Sequence, residues 1–441
     1  MILANLTSER RSKNINTQII LSFFLKFLSI SLGFVIIPKT LNILGNDQYG
    51  VWLTILSVVS WIVSFDVGIG NGLRNKLTES LSLGEYESSC KYISTAYCSL
   101  ALIGLTIIIV ASAIFPFINW HKVFNTTVIT NNELRNSFYV ITIAVIINFV
   151  IIIVNQVMNA FQKTALTNMS GILHSSLFLI MLLCFKVVNN LYLITCLYSL
   201  SLIISGVITS FIFYRKRMEY IPKLKWFDIS KVKDILKLGG GFFIIQIATL
   251  VMFSLTSMLI IQLLTAKDVA IYNVTFRLFS TLTLAFSIIV TPYWSAFTEA
   301  YKKSDFLWIK SSLNRLQIFL GITFFFAIVL ICFHQNILDL WLGKSKVKPG
   351  VSVAFMMALY SIVLNWSNIY SHYLNGIGKI RVQTVVAVVQ ALLVIPLCLI
   401  FTKYFDFGLV GIMLSLVICM VPFAIIGPAI TYRNLRFNTG E

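Results

Sequence analysis

The sequence predicts an all-α polytopic membrane protein with twelve transmembrane helices in two six-helix lobes around a central cavity. Apolar segments long enough to cross a bilayer follow one another from Thr17 to Tyr432. The chain is 58% hydrophobic and 11% charged, with a mean hydropathy of +0.88, whereas an average soluble domain has about 25% charged residues. The connections alternate between Lys/Arg-rich and Lys/Arg-poor, as expected for a chain that crosses a membrane repeatedly.

The distribution of basic residues predicts the orientation of these helices. The twelve predicted spans are 17–38, 49–73, 93–116, 137–161, 166–186, 192–214, 238–264, 270–293, 313–333, 351–375, 380–402 and 408–431. With the N-terminus inside, and with the span-end residues Arg315 and Arg381 counted as inner and Lys186 as outer, the inner segments contain 23 Lys and Arg residues and the outer connections contain 9. This bias places both termini in the cytoplasm. The formal charge of +18 is therefore interpreted as a set of topology determinants and not as a nucleic-acid site.

The most basic inner loop, residues 215–237, divides the spans into two sets of six. It contains eight basic and three acidic residues, which suits an anionic cytoplasmic leaflet. The predicted organisation is a cytoplasmic N-terminus at 1–16, an N-lobe at 17–214, a basic cytoplasmic linker at 215–237, a C-lobe at 238–431 and a cytoplasmic C-terminus at 432–441.

The two halves show signs of a duplication. At an offset of 223 residues Tyr49 corresponds to Tyr272, and at an offset of 216 the segment 159–163 resembles the segment 375–379. Each half has an even number of helices, so the repeats have the same orientation and are expected to be related by an axis along the membrane normal, as in many transporters. Chance similarity between apolar sequences is the alternative.

Polar residues recur at helical spacing along four spans, whereas a lipid-facing surface should be uniformly apolar. The stripes are Gln18, Ser22, Lys26, Ser29 and Gly33 in the first span, Thr54, Ser57, Trp61, Ser64 and Gly68 in the second, Arg277, Ser280, Leu284, Ser287 and Thr291 in the eighth, and Ser361, Asn365, Asn368, His372 and Asn375 in the tenth. Either cavity walls or packed helix interfaces account for such stripes, because small polar residues also serve packing in membranes. A cavity is favoured for the first, second and eighth spans, and neither interpretation is favoured for the tenth.

Three charged side chains lie well inside the predicted spans, away from their ends. Lys26 is about 14 Å from the start of the first span, near the middle of a ~30 Å hydrocarbon core, where a charge costs about 2.5–3.5 kcal/mol. It is therefore expected to face protein or water. Arg277 is closer to the outer end of the eighth span and can snorkel to the interface. Asp66 lies off the second stripe, where it serves either as a coupling carboxylate or as a structural partner.

The remaining motifs give little support for catalysis. The segment 68–72 is rich in glycine but ends a membrane helix instead of following a strand, so nucleotide binding is not expected there. His372 could titrate near neutral pH, although a histidine that is hydrogen-bonded to neighbouring Asn side chains is the simpler interpretation. The sequence contains no P-loop, no HExxH motif and no cofactor or metal signature.

Three groups of residues form recognisable motifs: Pro38, Leu41, Leu44, Gly45 and Tyr49-Gly50-Val51-Trp52, then Asp66-Val67-Gly68-Ile69-Gly70 with Arg74, and Leu374-Asn375-Gly376-Ile377-Gly378-Lys379. Together these motifs resemble the bacterial polysaccharide flippases of the multidrug/oligosaccharidyl-lipid/polysaccharide exporter superfamily, especially those of the O-antigen type. The resemblance covers nearly the whole chain. The second lobe is less typical, because the seventh span has no counterpart of Pro38 and Arg277 stands where the repeat has Thr54.

The resemblance implies a non-enzymatic flippase of the bacterial cytoplasmic (inner) membrane. It would move undecaprenyl-diphosphate-linked oligosaccharide repeat units from the inner to the outer leaflet by alternating access, for O-antigen or related polysaccharide synthesis. The candidate cavity residues are Lys26, Arg277, Ser22, Ser29, Thr54, Ser57, Trp61, Ser64, Ser280, Asn365, Asn368 and His372, with Asp66 as the coupling candidate. Expected partners are the lipid-linked glycan, membrane lipids, a proton or sodium coupling ion and a polysaccharide polymerase complex, without nucleic acid.

Two other functions remain open at this point. A multidrug exporter of the same superfamily would share the architecture, but cationic drugs favour an acidic cavity, whereas the spans contain Lys26 and Arg277 against Asp66. A membrane-embedded polysaccharide polymerase or ligase usually needs a large outer loop, and the longest here, residues 117–136, has no catalytic cluster.

Overall fold

The fold was analysed in a computed structural model of the 441-residue chain. The structure describes residues 2–64, 68–124, 126, 129–185, 190–342 and 348–439. Within these ranges, the side chains at 2–7, 46–47, 57–64, 253–255, 266–267, 342 and 438–439 are not described.

The described residues form fourteen α-helices joined by short turns. In the first half these are α1 (Ile2–Ser64), α2 (Ile69–Ser82), α3 (Tyr86–Ile114), α4 (Trp120–Phe124), α5 (Asn131–Ile151), α6 (Val154–Ala160), α7 (Thr164–Cys184) and α8 (Leu191–Arg215). In the second half they are α9 (Ile229–Leu263), α10 (Ala266–Lys302), α11 (Phe306–Leu342), α12 (Val351–Gly376), α13 (Arg381–Leu399) and α14 (Gly408–Thr439). The all-α prediction is confirmed.

Eleven helices among the described residues are long and apolar enough to cross a membrane, as judged by length and composition. The second predicted span, 49–73, is formed in part by the last section of α1, which follows a break at Gly45 (φ 70°, ψ 175°). Glycine adopts this positive φ without the steric cost of a Cβ. The same span continues through residues 65–67, which lie outside the described residues, into α2. The twelve-helix prediction is confirmed on this basis.

Local capping residues explain where several helices begin. The Thr130 hydroxyl accepts a hydrogen bond from Glu133 N at the start of α5, and Asn190 Oδ1 accepts one from Leu193 N at the start of α8. At α10 the side chains of Thr265 and Asp268 each accept from the other's backbone N–H, which forms a capping box.

The chain divides into two compact units. The first unit comprises residues 14–240, and the second comprises residues 1–13 together with 241–441. The core of the first unit contains two apolar clusters, one around Trp52, Trp120 and Phe138 and another around Leu73, Val157 and Phe213. The core of the second unit is centred on α10, α12 and α14, with further buried residues from α9, α11 and α13.

Two turns at one end of each unit repeat the same hydrogen-bond pattern. After α6, Gln162 N donates to Asn159 O and Lys163 N donates to Met158 O; after α12, Gly378 N donates to Asn375 O and Lys379 N donates to Leu374 O. The positions differ by 216 residues, the offset that the sequence shows for these segments. Gln162 and Gly378 both have positive φ values, 56° and 73°. The two turns therefore have the same backbone pattern at corresponding positions. We call this end of each unit the inner end.

The second pair of inner turns shows the same relation at an offset of 220. Glu85 N donates to Ser80 O after α2, and Asp305 N donates to Ala300 O after α10. The residue before each donor, Gly84 or Ser304, has positive φ (75° and 56°). These are C-terminal helix caps of the Schellman type, in which a left-handed residue lets the chain satisfy the last carbonyls of the helix.

The N-terminal segment of α1 is anchored in the second unit through a buried arginine. The Arg11 side chain is 2% exposed, and its Nη1 lies 2.8 Å from the Asp305 carboxylate while its Nε lies 3.7 Å from Glu299. Its guanidinium lies 4.6 Å from the ring centroid of Trp308, and the Trp308 indole N–H donates to Ser12 Oγ. Residues 8–13 are thus a packed part of the fold.

The corresponding segment of α9 is packed in the first unit. A Cβ on Gly72 of α2 would lie 2.5 Å from the backbone carbonyl of Ile235, so only glycine allows this approach. The Tyr92 hydroxyl donates to the Asp234 carboxylate at 3.1 Å. Before α9 the Asp228 carboxylate accepts hydrogen bonds from the Ser230 hydroxyl and N–H, which lower the pKa of Asp228.

Candidate functional site

The N-terminal part of the α1 polar stripe, Gln18 and Ser22, packs against a neighbouring helix. Gln18 is buried, and its Oε1 accepts a hydrogen bond from the Ala165 backbone N–H at 2.9 Å, in the first turn of α7. Ser22, one turn further along, is also buried. Asn14 Nδ2 donates to the Gln162 carbonyl in the preceding turn. This part of the stripe attaches α1 to the N-terminal end of α7 within the first unit.

The C-terminal part of the same stripe, Lys26, Ser29 and Gly33, is more exposed. Lys26 and Ser29 are half-buried, and a Cβ built on Gly33 would meet no atom within 4 Å. Lys26 lies at the middle of the 38-residue apolar section Ser8–Gly45. Among the residues that the structure describes, Lys26 has no ion-pair or hydrogen-bond partner. An ammonium group at this depth is costly against lipid, so the open side is expected to hold water or an anionic ligand.

The second stripe is described only in part. Thr54 is exposed, and its hydroxyl donates back to the Gly50 carbonyl of its own helix. The opposite face of the helix is buried in the unit, with Trp52 against Tyr198 at 5.1 Å between ring centroids. The structure does not describe the side chains of Ser57, Trp61 and Ser64, which the sequence assigns to this stripe. Asp66 lies entirely outside the described residues.

The α10 stripe faces away from the core of its unit. Arg277 and Leu284 are exposed and Ser280 and Ser287 are half-buried, whereas Phe279 on the opposite face is completely buried. The two serine hydroxyls donate to carbonyls of the same helix, to Arg277 O and to Leu284 O. Both hydroxyl protons are thus used within α10, and the stripe makes no hydrogen bond to another helix of the unit through these two serines.

Arg277, like Lys26, has no partner among the residues that the structure describes. No described residue forms an ion pair or hydrogen bond with its guanidinium. It has five N–H donors in a planar arrangement that matches carboxylate or phosphate oxygens. Each unit therefore presents one open cation on a polar stripe.

The first half of the α12 stripe is a packing surface. Ser361 is buried, and its hydroxyl donates to the Phe279 carbonyl of α10 at 3.4 Å. Asn365 is completely buried, and neither of its side-chain polar atoms has a hydrogen-bond partner among the described residues. Buried amides are normally hydrogen-bonded, so a site for water beside Asn365 is expected.

The second half of the α12 stripe is half-buried. Asn368 and His372 lie one turn apart, and His372 Nδ1 is 2.8 Å from the Asn368 carbonyl oxygen. The His372 ring meets the indole of Trp294 edge-on at 5.7 Å between centroids. Trp294 is not among the predicted cavity residues, although it continues the α10 stripe three residues beyond Thr291.

Chemically, the described candidate residues offer positive charge and hydrogen-bond donors to a ligand. They comprise two open cations, several hydroxyls and one imidazole beside an indole, distributed over both units. Within the described part of the chain, no group of three or more His, Cys, Asp or Glu side chains could hold a metal ion.

Comparison with known families gives two matches. The profile described as "Polysaccharide biosynthesis protein" matches residues 16–298, and the profile described as MatE matches residues 243–400. The first covers more than half of the chain.

Relatives of known name align over most of their length. A Yersinia pseudotuberculosis protein, provisionally named an O-antigen export protein, is 23% identical over 402 residues, 89% of this chain and 90% of the relative. A Salmonella typhi protein, provisionally named an O-antigen transporter, is 22% identical over 412 residues, 90% and 91% of the two chains.

Solved structures share the fold at low sequence identity. A MATE protein in complex with MaD3S has a TM-score of 0.80 at 14% identity, covering 98% of this chain and 97% of the other. An outward-facing multidrug resistance MATE family transporter of the MOP superfamily has a TM-score of 0.78 at 15% identity, with the same coverage. A MOP superfamily transporter from Pyrococcus furiosus has a TM-score of 0.74 at 16% identity, again with 98% and 97% coverage. The chain therefore belongs to the polysaccharide biosynthesis protein family and is a multi-pass membrane protein with the MATE fold.

Proposed function

We propose that the protein is a flippase that moves undecaprenyl-diphosphate-linked oligosaccharide repeat units across the bacterial cytoplasmic membrane by alternating access, for O-antigen or a related surface polysaccharide. The termini lie in the cytoplasm, and a proton or sodium ion drives the cycle. The names of the Yersinia and Salmonella relatives support the cargo class. So does the match to the polysaccharide biosynthesis profile over residues 16–298.

The observation that carries the proposal is the pair of open cations within apolar spans. Lys26 and Arg277 lie on polar stripes, one in each unit, without an acidic partner among the described residues. A diphosphate that leaves water needs compensating positive charge and hydrogen-bond donors, and both side chains supply them. The polyprenyl tail can remain in lipid, so only the head group has to pass through the protein.

A drug exporter is the second candidate, because the MatE profile and the MATE structures match this chain. Cationic drugs favour carboxylates, and Asp66 is the only acidic residue within the predicted spans. The Pyrococcus transporter is described as having a binding pocket of reverse polarity, which suggests a different function for that protein. By analogy with that transporter, the charge of the binding site indicates the kind of cargo better than the fold does.

Substitution of Lys26 tests the proposal directly. In cells that lack the chromosomal gene, Lys26→Ala should abolish surface polysaccharide and cause the lipid-linked intermediate to accumulate on the inner leaflet. Loss of one charge-assisted contact corresponds to about 1.5–3 kcal/mol, or about ten- to a hundredfold in affinity. Lys26→Arg should retain part of the activity, and Arg277→Ala should reduce it less, since Arg277 lies closer to the outer end.

Lys39→Ala is the matched control. Lys39 is an exposed lysine of the same helix, about 20 Å from Lys26 along the helix axis and outside a ~30 Å core centred on Lys26. It should leave export unchanged. Normal export by a stably inserted Lys26→Ala protein would overturn the proposal. Increased drug sensitivity on gene removal, with polysaccharide unaffected, would favour the exporter instead.

A further inference from the structure

An open cationic groove lies at the inner end of the second unit, away from the polar stripes. Three elements form it: the last turn of α10, the turn after α12 and the last turns of α14. Its volume is about 370 Å³, and its lining residues are Tyr301, Lys379, Ile430, Arg433, Asn434 and Phe437. None of these lining residues is acidic.

The two cations of the groove have spare donors. Lys379 Nζ donates one hydrogen bond, to Asn434 Oδ1 at 2.9 Å, which leaves two of its three N–H groups available. Arg433 is exposed, with its guanidinium 5.9 Å from the ring centroid of Phe437. No described carboxylate pairs with either residue. An anion in the groove would thus find donors from both sides.

The position of Lys379 is fixed by the backbone. Gly378, with φ 73°, and the hydrogen bond from Lys379 N to Leu374 O hold the turn on the end of α12. Lys379 is also tied to α14 through Asn434. The cation is therefore presented by an ordered turn, which limits the entropy that is lost when an anion binds.

The wall of the groove continues into an apolar surface. Ile430 is half-buried in the lining, and Ile426 and Ile425 lie exposed one turn further from the chain end on α14. Positive charge at the end of a span, above an exposed aliphatic surface, matches a molecule with a phosphate head group and an acyl chain. A free phosphate would use the cations but not the aliphatic surface.

The first unit offers an internal comparison, because aromatic rings lie beside the corresponding arginine there. At the offset of 216, Lys379 corresponds to Lys163 and Arg433 corresponds to Arg217. In the first unit the Arg217 guanidinium lies 4.9 Å from the ring centroid of Phe161 and 5.0 Å from that of Phe213. Phe161 also packs against Tyr220 of the following loop, at 5.1 Å.

The second unit lacks these aromatic rings. Ile377 stands at the position of Phe161, and the exposed Ala429 stands at the position of the buried Phe213. The cations are retained while the side chains that fill the space are smaller. The corresponding place in the first unit therefore has more aromatic side-chain volume beside its arginine than the groove has.

We propose that this groove binds the phosphate head group of an anionic phospholipid, with Lys379 and Arg433 as the phosphate ligands and one acyl chain along Ile430 and Ile426. The site is distinct from the polar stripes and independent of the cargo that the protein transports.

Native mass spectrometry of the full-length protein in detergent tests this proposal, with dioleoyl phosphatidylglycerol as the probe and dioleoyl phosphatidylcholine as the neutral-headgroup reference. The wild type should bind phosphatidylglycerol preferentially. The double variant Lys379→Ala/Arg433→Ala should lose about tenfold or more in affinity, as expected for lost charge-assisted contacts. The control Lys348→Ala/Lys403→Ala removes two exposed lysines of the same unit that do not line the groove, and it should leave binding unchanged.

A second variant separates the shape of the groove from its charge. Ile377→Phe/Ala429→Phe introduces the two rings of the first unit while both cations remain, and it should weaken phosphatidylglycerol binding to a similar extent. Undiminished binding by this variant, or an equal loss in the Lys348→Ala/Lys403→Ala control, would overturn the proposal. Equal affinity for glycerol 1-phosphate, which has no acyl chain, would also overturn it and identify a site for free phosphate.

Discussion

The two repeats place a cation near the start of their first helix but stabilise it differently. At an offset of 220, Arg11 corresponds to Lys231, and each lies over an aromatic ring, Trp308 at 4.6 Å and Tyr92 at 4.8 Å. Arg11 is 2% exposed and contacts two carboxylates, whereas the Lys231 side chain is 22% exposed and its carboxylate partner lies 3.9 Å away on its own helix. The same position has thus become a buried network in one repeat and a surface pair in the other.

The turns of the repeats vary in a different way. In the pair after α2 and α10 the left-handed residue is Gly84 in the first copy and Ser304 in the second. In the pair after α6 and α12 it is Gln162 in the first copy and Gly378 in the second. Glycine is therefore not required to form these turns but lowers their cost. The backbone pattern is shared, and the side chains determine how well each copy is stabilised.

The largest predicted effect comes from removing the buried cation. Arg11→Ala should lower the free energy of unfolding by about 3 kcal/mol, because it leaves the half-buried Asp305 carboxylate without its cation, whereas Glu299 keeps Lys303 at 2.6 Å. This is the low end of the usual range, because Asp305 and Glu299 retain 23% and 20% exposure. Lys231→Ala should cost about 0–1 kcal/mol. Thermal unfolding of the purified variants in one detergent measures both values.

An equal loss in the two variants would remove the distinction between the buried network and the surface pair. Arg11→Met is an informative companion, since it keeps the packing of the side-chain stem against Trp308 without the charge. If Arg11→Met is as stable as the wild type, the stabilisation comes from packing and not from the carboxylates.

A smaller effect is predicted at Gly376, whose counterpart at an offset of 216 is Ala160. A Cβ on Gly376 would lie 2.7 Å from the Trp294 carbonyl oxygen and 3.1 Å from Phe297 Cβ, so α10 and α12 would have to separate. Gly376→Ala should cost about 1–3 kcal/mol by overpacking. Ala160→Gly in the first repeat should cost about 0.5–1 kcal/mol, mainly through chain entropy.

Denaturant-free thermal unfolding with intrinsic tryptophan fluorescence suits this pair, because Trp294 is at the site of the clash. A shift in the emission of the Gly376→Ala protein is expected before any loss of helix. Wild-type stability in this variant would mean that the contact between α10 and α12 is looser than the structure indicates.

Much of the fold could be predicted from hydropathy, because a membrane span has to be apolar over about twenty residues. The helix ends were predicted less well. The seventh span was expected to begin at 238, but α9 begins at Ile229; the eighth was expected to end at 293, but α10 ends at Lys302. A helix can continue beyond the hydrocarbon core through polar residues, so hydropathy underestimates the length of the helix.

The role of Arg11 could not be predicted in the same way. It was counted only as a topology determinant, and its partner Asp305 is 294 positions away, so no local pattern connects them. The stripes were visible because helical spacing is local, but spacing alone could not separate Gln18, which packs against α7, from Lys26, which remains open. That distinction depends on the neighbouring helix.

The smallest predicted effect concerns the left-handed residues themselves. Gln162→Gly should stabilise the first copy of the turn by up to about 1 kcal/mol, since it relieves the cost of a Cβ at positive φ, although the greater entropy of unfolded glycine offsets part of the gain. Gly378→Gln should destabilise the second copy by about 1–2 kcal/mol for the same reason. The hydrogen bond from Asn14 to the Gln162 carbonyl involves only backbone at this position and is preserved in the glycine variant.

Thermal unfolding of the two single variants and of the variant that carries both substitutions tests this prediction. The changes in the free energy of unfolding should be additive, because the two sites lie in different units. Gly378→Gln has a further consequence, since Lys379 is held by the same turn and phosphatidylglycerol binding should weaken while the protein stays folded. Destabilisation by Gln162→Gly would show that the glutamine side chain contributes more than its strained backbone costs. In that case the two copies of the turn would be maintained by different interactions, and the shared hydrogen-bond pattern would not be sufficient to predict the effect of a substitution in either repeat.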